Sequence, residues 1–251
     1  MDQREMQRTD STLGATRIAI VGAGRLGTAI AAALRGNDDF ELRGPLRRDE
    51  SAAASDVVLL CVPDRDIAAA AAAIGPAAIV GHCSGATGLE PLAPHEAFSL
   101  HPLMTVSHTS VNFAGATAAI DASTERAFEV ARSIVRALEM KSVRIGPQDR
   151  VAYHAAASIA SNFLVTLEAA AERLAATAGV GREALAPLVR ATVENWVALG
   201  PERALTGPVA RGDEDTVARQ REAVSERTPE LTPLFDALTA ATRELVGAGV
   251  R

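Results

Sequence analysis

Apolar residues follow two different rhythms along this chain. Up to about Ile145, short unbroken apolar runs alternate with stretches of helical period. Ile18 to Val21 is the first run, as expected for a strand buried on both faces. A helical pattern runs from about Arg25 to Leu34 and stops at Gly36. "FELRGPLRR" is a weaker strand candidate, because Gly44 and Pro45 interrupt it. "SDVVLLCVPD" predicts a buried strand ending at Pro63, "RDIAAAAAAI" a short helix and "AAIVGHCSG" a further strand. "SL", "GATAAID" and "KSVRI" are shorter strand candidates around the helix "TERAFEVARSIVRALEM". Such alternation implies a parallel sheet covered by helices.

From Asp149 onward only helical period remains. "DRVAYHAAASIASNFLVTLEAAAERLAATAG" predicts one helix that stops at Gly179. At about 1.5 Å per residue it would be roughly 40 Å long, which suits a spine shared with a partner domain or subunit. The expected fold class is therefore α/β: a doubly wound, mostly parallel sheet followed by an all-α domain. The expected boundaries are a disordered leader over residues 1–16, a sheet domain over 17–146 and a helical domain over 147–251, with "GPQD" as the hinge.

Composition narrows the function classes. Of the 251 residues 48% are hydrophobic but only 3% aromatic, so the core must be built mainly from Ala, Val, Leu and Ile. A net charge of −6 argues against nucleic acid, whose binders carry a basic face. The polar N-terminus has no apolar signal region, and no run of about 18 apolar residues occurs, so a cytoplasmic protein without a membrane partner is expected. Cys61 and Cys83 are too few for a disulfide framework. Lys141 is the sole lysine, which leaves little scope for a lysine acid.

Candidate chemistry begins at Gly22, Gly24 and Gly27, a G-x-G-x-x-G that follows a buried strand and opens a helix. In that context the glycines allow a tight turn, close approach of a pyrophosphate and close helix–strand packing. Backbone N–H groups from Gly22, Ala23, Gly24, Arg25, Leu26 and Gly27 would receive the anion. The second strand ends in Arg47 and Arg48, placed where a 2′-phosphate would lie, and arginine pairs phosphate bidentately. Asp49 and Glu50 argue the other way, since an acidic side chain there binds a ribose hydroxyl. We expect NADP(H). Val62, Pro63 and Asp64 follow the next strand and Cys83, Ser84 and Gly85 the one after, so both turns should line the cofactor crevice. His82 to Thr105, rich in glycine and proline, reads as a wall of that crevice, with His101 following a further strand.

The long predicted helix carries His154, Ser158, Ser161 and Asn162 within roughly a 100° arc, on a surface otherwise of Ala, Ile, Phe, Leu and Val. Polar groups there are costly unless paired. The stripe either bonds across a packed core or faces a reacting carbonyl. His82, Cys83, His95, His101 and His108 could be drawn into a zinc site, but no C-x-x-C or H-E-x-x-H spacing supports one, and no metal is expected. Ser84 lacks the G-x-S-x-G elbow of a nucleophile.

The motifs "VGAGRLG", "VPD", "HCSGA", "SLHPLMT", "YHAAASIASNFLV" and "ALTGPVARGD" occur in this order over about residues 17–225. Together they resemble Rossmann-like proteins with a C-terminal domain of unknown function, DUF2520, some members of which act as an alternative ketopantoate reductase. The resemblance implies an architecture like that of pyrroline-5-carboxylate reductase, with a Rossmann domain, a helical domain and a homodimer. Related two-domain dehydrogenases place a lysine and an asparagine one turn apart on the long helix, where this chain has Ser158 and Asn162. The expected proton donor is therefore His154, with Ser158 as relay, Asn162 orienting the substrate and His101 in reserve. Arg211 suits the carboxylate of a 2-oxo acid, unless Asp213 consumes it, and Ser84 would also contact substrate. The segment after the second strand is short, so the helix usual there is expected to be lost. The expected function is NADPH-dependent reduction of a small 2-oxo acid, with ketopantoate leading. A pyrroline-carboxylate or prephenate-type dehydrogenase is the enzyme alternative, and a non-catalytic NADP(H) sensor the alternative of another class.

Overall fold

The computed structural model describes residues 15–76, 78–107 and 111–248. Most of the expected leader, as well as His108, lies outside them. The chain separates into two compact units, one ending at Ile159 and the other starting at Ala160.

The first unit is built on a seven-stranded sheet of order β2-β1-β3-β4-β5-β6-β7. Its strands are β1 (Thr16–Val21), β2 (Phe40–Leu46), β3 (Val57–Leu60), β4 (Ile79–His82), β5 (Ala97–Leu103), β6 (Thr117–Ala122) and β7 (Lys141–Arg144). Strands β1 to β5 run parallel, and β6 pairs antiparallel with β5. The sheet is mostly parallel, as expected; this pair is the exception, and among the described residues no helix lies between β5 and β6 to carry a crossover. Helices α1 (Arg25–Leu34), α2 (Ile67–Ala72) and α3 (Glu125–Ala137) cover the faces.

Alternation of side chains explains the apolar runs. Ile18, Ile20, Val57, Leu59 and Ile120 pack on one face against Ile30 and Leu34 of α1 and Ile134 of α3. Ala19, Val58, Leu60 and Val80 point the other way, against Ile67 and Ala71 of α2 and Leu92. A strand buried on both sides has no polar alternate position, so its sequence reads as continuous apolar residues. Thr124 caps α3, its Oγ1 accepting from Ala127 N at 3.1 Å. Between β2 and β3 the chain makes only turns, as the short segment there predicts.

The helix expected from Asp149 to Gly179 is interrupted. It comprises α4 (Arg150–Ser158), a π-helical turn over Ile159–Phe163 and α5 (Leu164–Ala176). The division between the units falls inside this π turn. The second unit continues with α6 (Arg182–Leu199), α7 (Pro201–Ala204), α8 (Glu214–Arg227) and α9 (Thr232–Ala248). Its buried apolar centre, Ala170, Val224 and Leu231 with Leu174 and Phe235 against them, is small. Many large apolar side chains of this unit are exposed instead, among them Leu188, Trp196 and Val197 at 65%, 55% and 71%.

Candidate active site

Four parallel strands end side by side. Gly22 follows β1, Cys61 follows β3, Cys83 follows β4, and His101 lies near the end of β5. Three strand spacings of about 4.8 Å put roughly 14 Å between the first and last of these positions. Ligands of open α/β sheets bind beyond such an edge.

The turn from β1 into α1 has the geometry a phosphate loop needs. Gly22 has φ +113°, and a Cβ there would fall 2.3 Å from the backbone oxygen of Cys61. A Cβ on Gly27 would fall 2.0 Å from the oxygen of Gly22. Both glycines are demanded by the protein itself. Gly24 is different: nothing lies within 4 Å of where its Cβ would be. It is exposed with an ordinary φ of −74°, at the N-cap of α1, and no acidic side chain occupies the first turn. The open N–H groups of this helix start fit an anion. Arg47 and Arg48 are exposed beyond the end of β2, the neighbour of β1. Arg48 reaches only a loose 3.7 Å pairing with Asp66, and Glu50 folds back to accept from the Arg47 backbone N–H at 2.6 Å. The guanidinium groups are thus available to a phosphate, and a pyrophosphate with an adjacent 2′-phosphate fits the residues present.

Asp64 and Ser84 are engaged with each other. Ser84 Oγ donates to Asp64 Oδ2 at 2.7 Å and accepts from the backbone N–H groups of Ala86 and Thr87. Thr87 Oγ1 also reaches Asp64, at 3.1 Å. The hydroxyl of Ser84 is therefore committed to shaping its loop, which leaves backbone groups as what Val62–Asp64 and Cys83–Gly85 offer a ligand. Cys83 is buried with its Sγ 3.7 Å from Cys61 Sγ; that contact and burial push its thiol pKa up.

His82 serves the same loop. It is fully buried, its Nδ1 accepts from Ser84 N at 3.2 Å, and its Nε2–H donates to Gly88 O at 2.8 Å. Burial pushes its pKa below the ordinary value, which keeps it neutral. His95 bonds Ala71 O instead. Of the stretch from His82 to Thr105 only the ends reach the strand-end edge. Its middle crosses a face of the sheet, where Leu92 packs with Ile67 and Ala71, because the chain must return to begin β5. His101 lies within β5, not after a strand, which extends the expected "SL" to Ala97–Leu103.

A second group converges around Gly85. His101 Nδ1 is 2.8 Å from Tyr153 Oη, and the rings of His101 and His154 lie 6.1 Å apart. A Cβ on Gly85 would fall 2.8 Å from His101 Cε1 and 2.8 Å from His154 Cδ2, so glycine leaves room for both rings. Burial, then the neighbouring charges of His154 and Arg150, push the His101 pKa down to about 4. Helix α4 is fixed to the sheet at its first residue. Arg150 Nη2 donates to Ser99 Oγ at 2.7 Å and to Asp121 Oδ2 at 3.3 Å, and both ionic side chains are 7% exposed. Ser99 and Asp121 are register partners on β5 and β6, so the arginine pins the helix across two strands.

Tyr153 was not legible as a site residue, since its partner lies 52 positions away. Of the expected polar stripe, His154 and Ser158 belong to α4. Ser161 and Asn162 fall in the π turn, where the angle per residue is smaller and the 100° arithmetic no longer holds. Arg211 and Asp213 lie in the second unit. Among the described residues no ion pair joins them: Asp213 caps α8, accepting from Thr216 N at 3.1 Å, so Arg211 is not consumed.

The family model for a domain of unknown function, DUF2520, matches residues 116–242, just over half of the chain. This chain belongs to the DUF2520 family. No curated protein matches the sequence. Among solved structures, a Thermotoga maritima protein is 25% identical with a TM-score of 0.77, over 93% of this chain and 100% of the other. A Bacteroides fragilis protein described as an NADP oxidoreductase is 20% identical with a TM-score of 0.75, over 92% and 98%. The pyrroline carboxylate reductase of Plasmodium falciparum, solved with NADP bound, is 13% identical with a TM-score of 0.57, over 92% and 98%. The DUF2520 protein thus shares its fold, a Rossmann-like sheet followed by a helical region, along nearly the full length of all three.

Proposed function

We propose that this DUF2520 protein is an NADPH-dependent reductase of a small 2-oxo acid. The observation that carries the reading is the open space over Gly24 at the start of α1, with two exposed arginines beyond the adjacent strand. Gly22 to Gly27 would hold the pyrophosphate, Arg47 and Arg48 the 2′-phosphate, and the backbone of Val62–Asp64 and Cys83–Gly85 would line the remainder. The NADP-linked proteins that share its fold support the cofactor and the reaction class.

When bound, the dinucleotide supplies a hydride. The chain must then provide a proton and a group that stabilises oxygen as it gains charge. His154 is the donor in this reading, with Ser158 as relay and Asn162 orienting the substrate. His101, held neutral at neutral pH, is not a store of protons. Arg211, which forms no ion pair with Asp213 among the described residues, would clamp the carboxylate. Ketopantoate leads the candidate substrates through the family resemblance. Loss of NADPH absorbance against a panel of 2-oxo acids tests the reading. Turnover of at least one, with NADH a poorer donor, is expected. Binding of NADPH without turnover of any acid would favour a sensor instead, and turnover only of imines or of prephenate would favour the dehydrogenase alternatives.

A further inference from the structure

We propose that Tyr153 and His101 form a pair in which neutral His101, fixed as its Nε2–H tautomer, donates a hydrogen bond to the substrate's carbonyl oxygen. This rests on the reductase reading and assigns a role the sequence did not.

The 2.8 Å contact between Tyr153 Oη and His101 Nδ1 needs one proton between its two atoms. A phenol is a better acid than a neutral imidazole N–H, and an imidazole lone pair is a better acceptor than a phenol oxygen. The shared proton therefore belongs to Tyr153, which donates. With Nδ1 accepting, the ring's own proton sits on Nε2, because the bond made by one ring nitrogen sets the tautomer at the other. Among the described residues His101 Nε2 has no protein partner, and it is not one of the buried polar atoms left without one. In the proposal its partner is the substrate oxygen, at the strand-end edge that β5 shares with β4.

The surroundings keep this imidazole uncharged. Tyr153 and His154 face it at ring separations of 5.7 Å and 6.1 Å, Arg150 adds a positive charge nearby, and Asp64 opposes them only weakly. A neutral N–H that keeps its proton stabilises a developing alkoxide by hydrogen bonding alone. The balance is then simple. The carbonyl carbon gains hydride, its oxygen gains the proton of His154, and His101 ends with the proton it began with. Two histidines 6 Å apart thereby take different roles, and Gly85 is the residue that lets both rings stand there.

Tyr153 acts through His101 and is a positioning residue, so its test includes the tautomer. In the free protein, labelled with ¹⁵N at histidine, NMR should show His101 neutral with Nε2–H from pH 5 to 8. Tyr153→Phe should give mixed tautomers. In turnover of the 2-oxo acid panel with NADPH, His101→Ala should lose about 100-fold in kcat. His101→Gln, whose amide N–H can stand near the Nε2 position, should stay within about tenfold of wild type. Tyr153→Phe should lose about tenfold in kcat with KM little changed. A His101 protonated near neutrality, an Nδ1–H tautomer, a Gln variant as slow as the Ala variant, or a Tyr153→Phe variant like wild type would each overturn the pair. Should no acid be turned over, the reductase reading falls and the substrate role with it. The free-protein tautomer still separates that failure from a failure of the Tyr153–His101 bond.

Discussion

In the proposed reading His154 and His101 take unlike tasks because their surroundings differ. His101, on β5, packs beside Tyr153 and Gly85, and burial holds it neutral until the pH approaches 4. Among the described residues His154 makes no such bond. If His154 is the donor, His154→Ala should lower kcat by about 10²–10⁴ while NADPH affinity stays nearly constant, because no phosphate contact is touched. Steady-state kinetics with fluorescence titration of NADPH checks both halves. The second expectation concerns Arg47 and Arg48. A charge-assisted contact is worth about 1.5–3 kcal/mol, so replacing both with alanine should weaken NADPH at least tenfold and spare NADH. Equal loss for both dinucleotides, measured by calorimetry, would remove the arginines from the cofactor site.

The turn between β1 and α1 uses three glycines for different reasons, and the differences are measurable. Gly22→Ala would place a Cβ 2.3 Å from a backbone oxygen at φ +113°, so a lowered melting temperature is expected. At Gly24 a Cβ would have open space and the φ is ordinary, so Gly24→Val should melt as wild type while dinucleotide binding is lost. Thermal denaturation of the two variants beside NADPH titration separates these effects; an unimpaired Gly24→Val would move the cofactor elsewhere. The spacing alone announced this element, because the strand before it and the helix after it have clear periods. The long helix was harder to read. Its apolar and polar residues fit a 3.6 period throughout, yet Ile159–Phe163 winds as a π turn. A change of winding is decided by backbone bonding and packing, not by side-chain type.

As a whole, the molecule pairs a sheet unit having two well-filled faces with a helical unit whose buried centre is small. Exposed Leu188, Trp196, Val197, Val165 and Phe163 together exceed what scattered surface apolar residues explain. We expect a homodimer joined through the helical unit. Light scattering at micromolar concentration should give twice the chain mass, and Trp196→Glu should give monomer, since a buried charge at an interface centre is costly. A monomeric wild type would refute it. Trp196 is the only tryptophan, so its emission should also shift to the red on dissociation.

The sequence by itself determined the alternation of strands and helices, the glycine turn between β1 and α1, the change to all-helical structure and the family. All of these are written in local periods or in motifs of fixed spacing. Tertiary structure alone decided the antiparallel β6, the breadth of β5, the commitment of Ser84 to Asp64, the anchoring of α4 by Arg150, and the meeting of Tyr153 with His101. Each depends on which distant segments become neighbours. Ser99 and Asp121, 22 positions apart, become partners only when β5 and β6 pair, and Arg150 then finds both. The physical reason is that periodicity reports which face of an element is buried, whereas a polar group's partner is fixed only once the chain has closed around it.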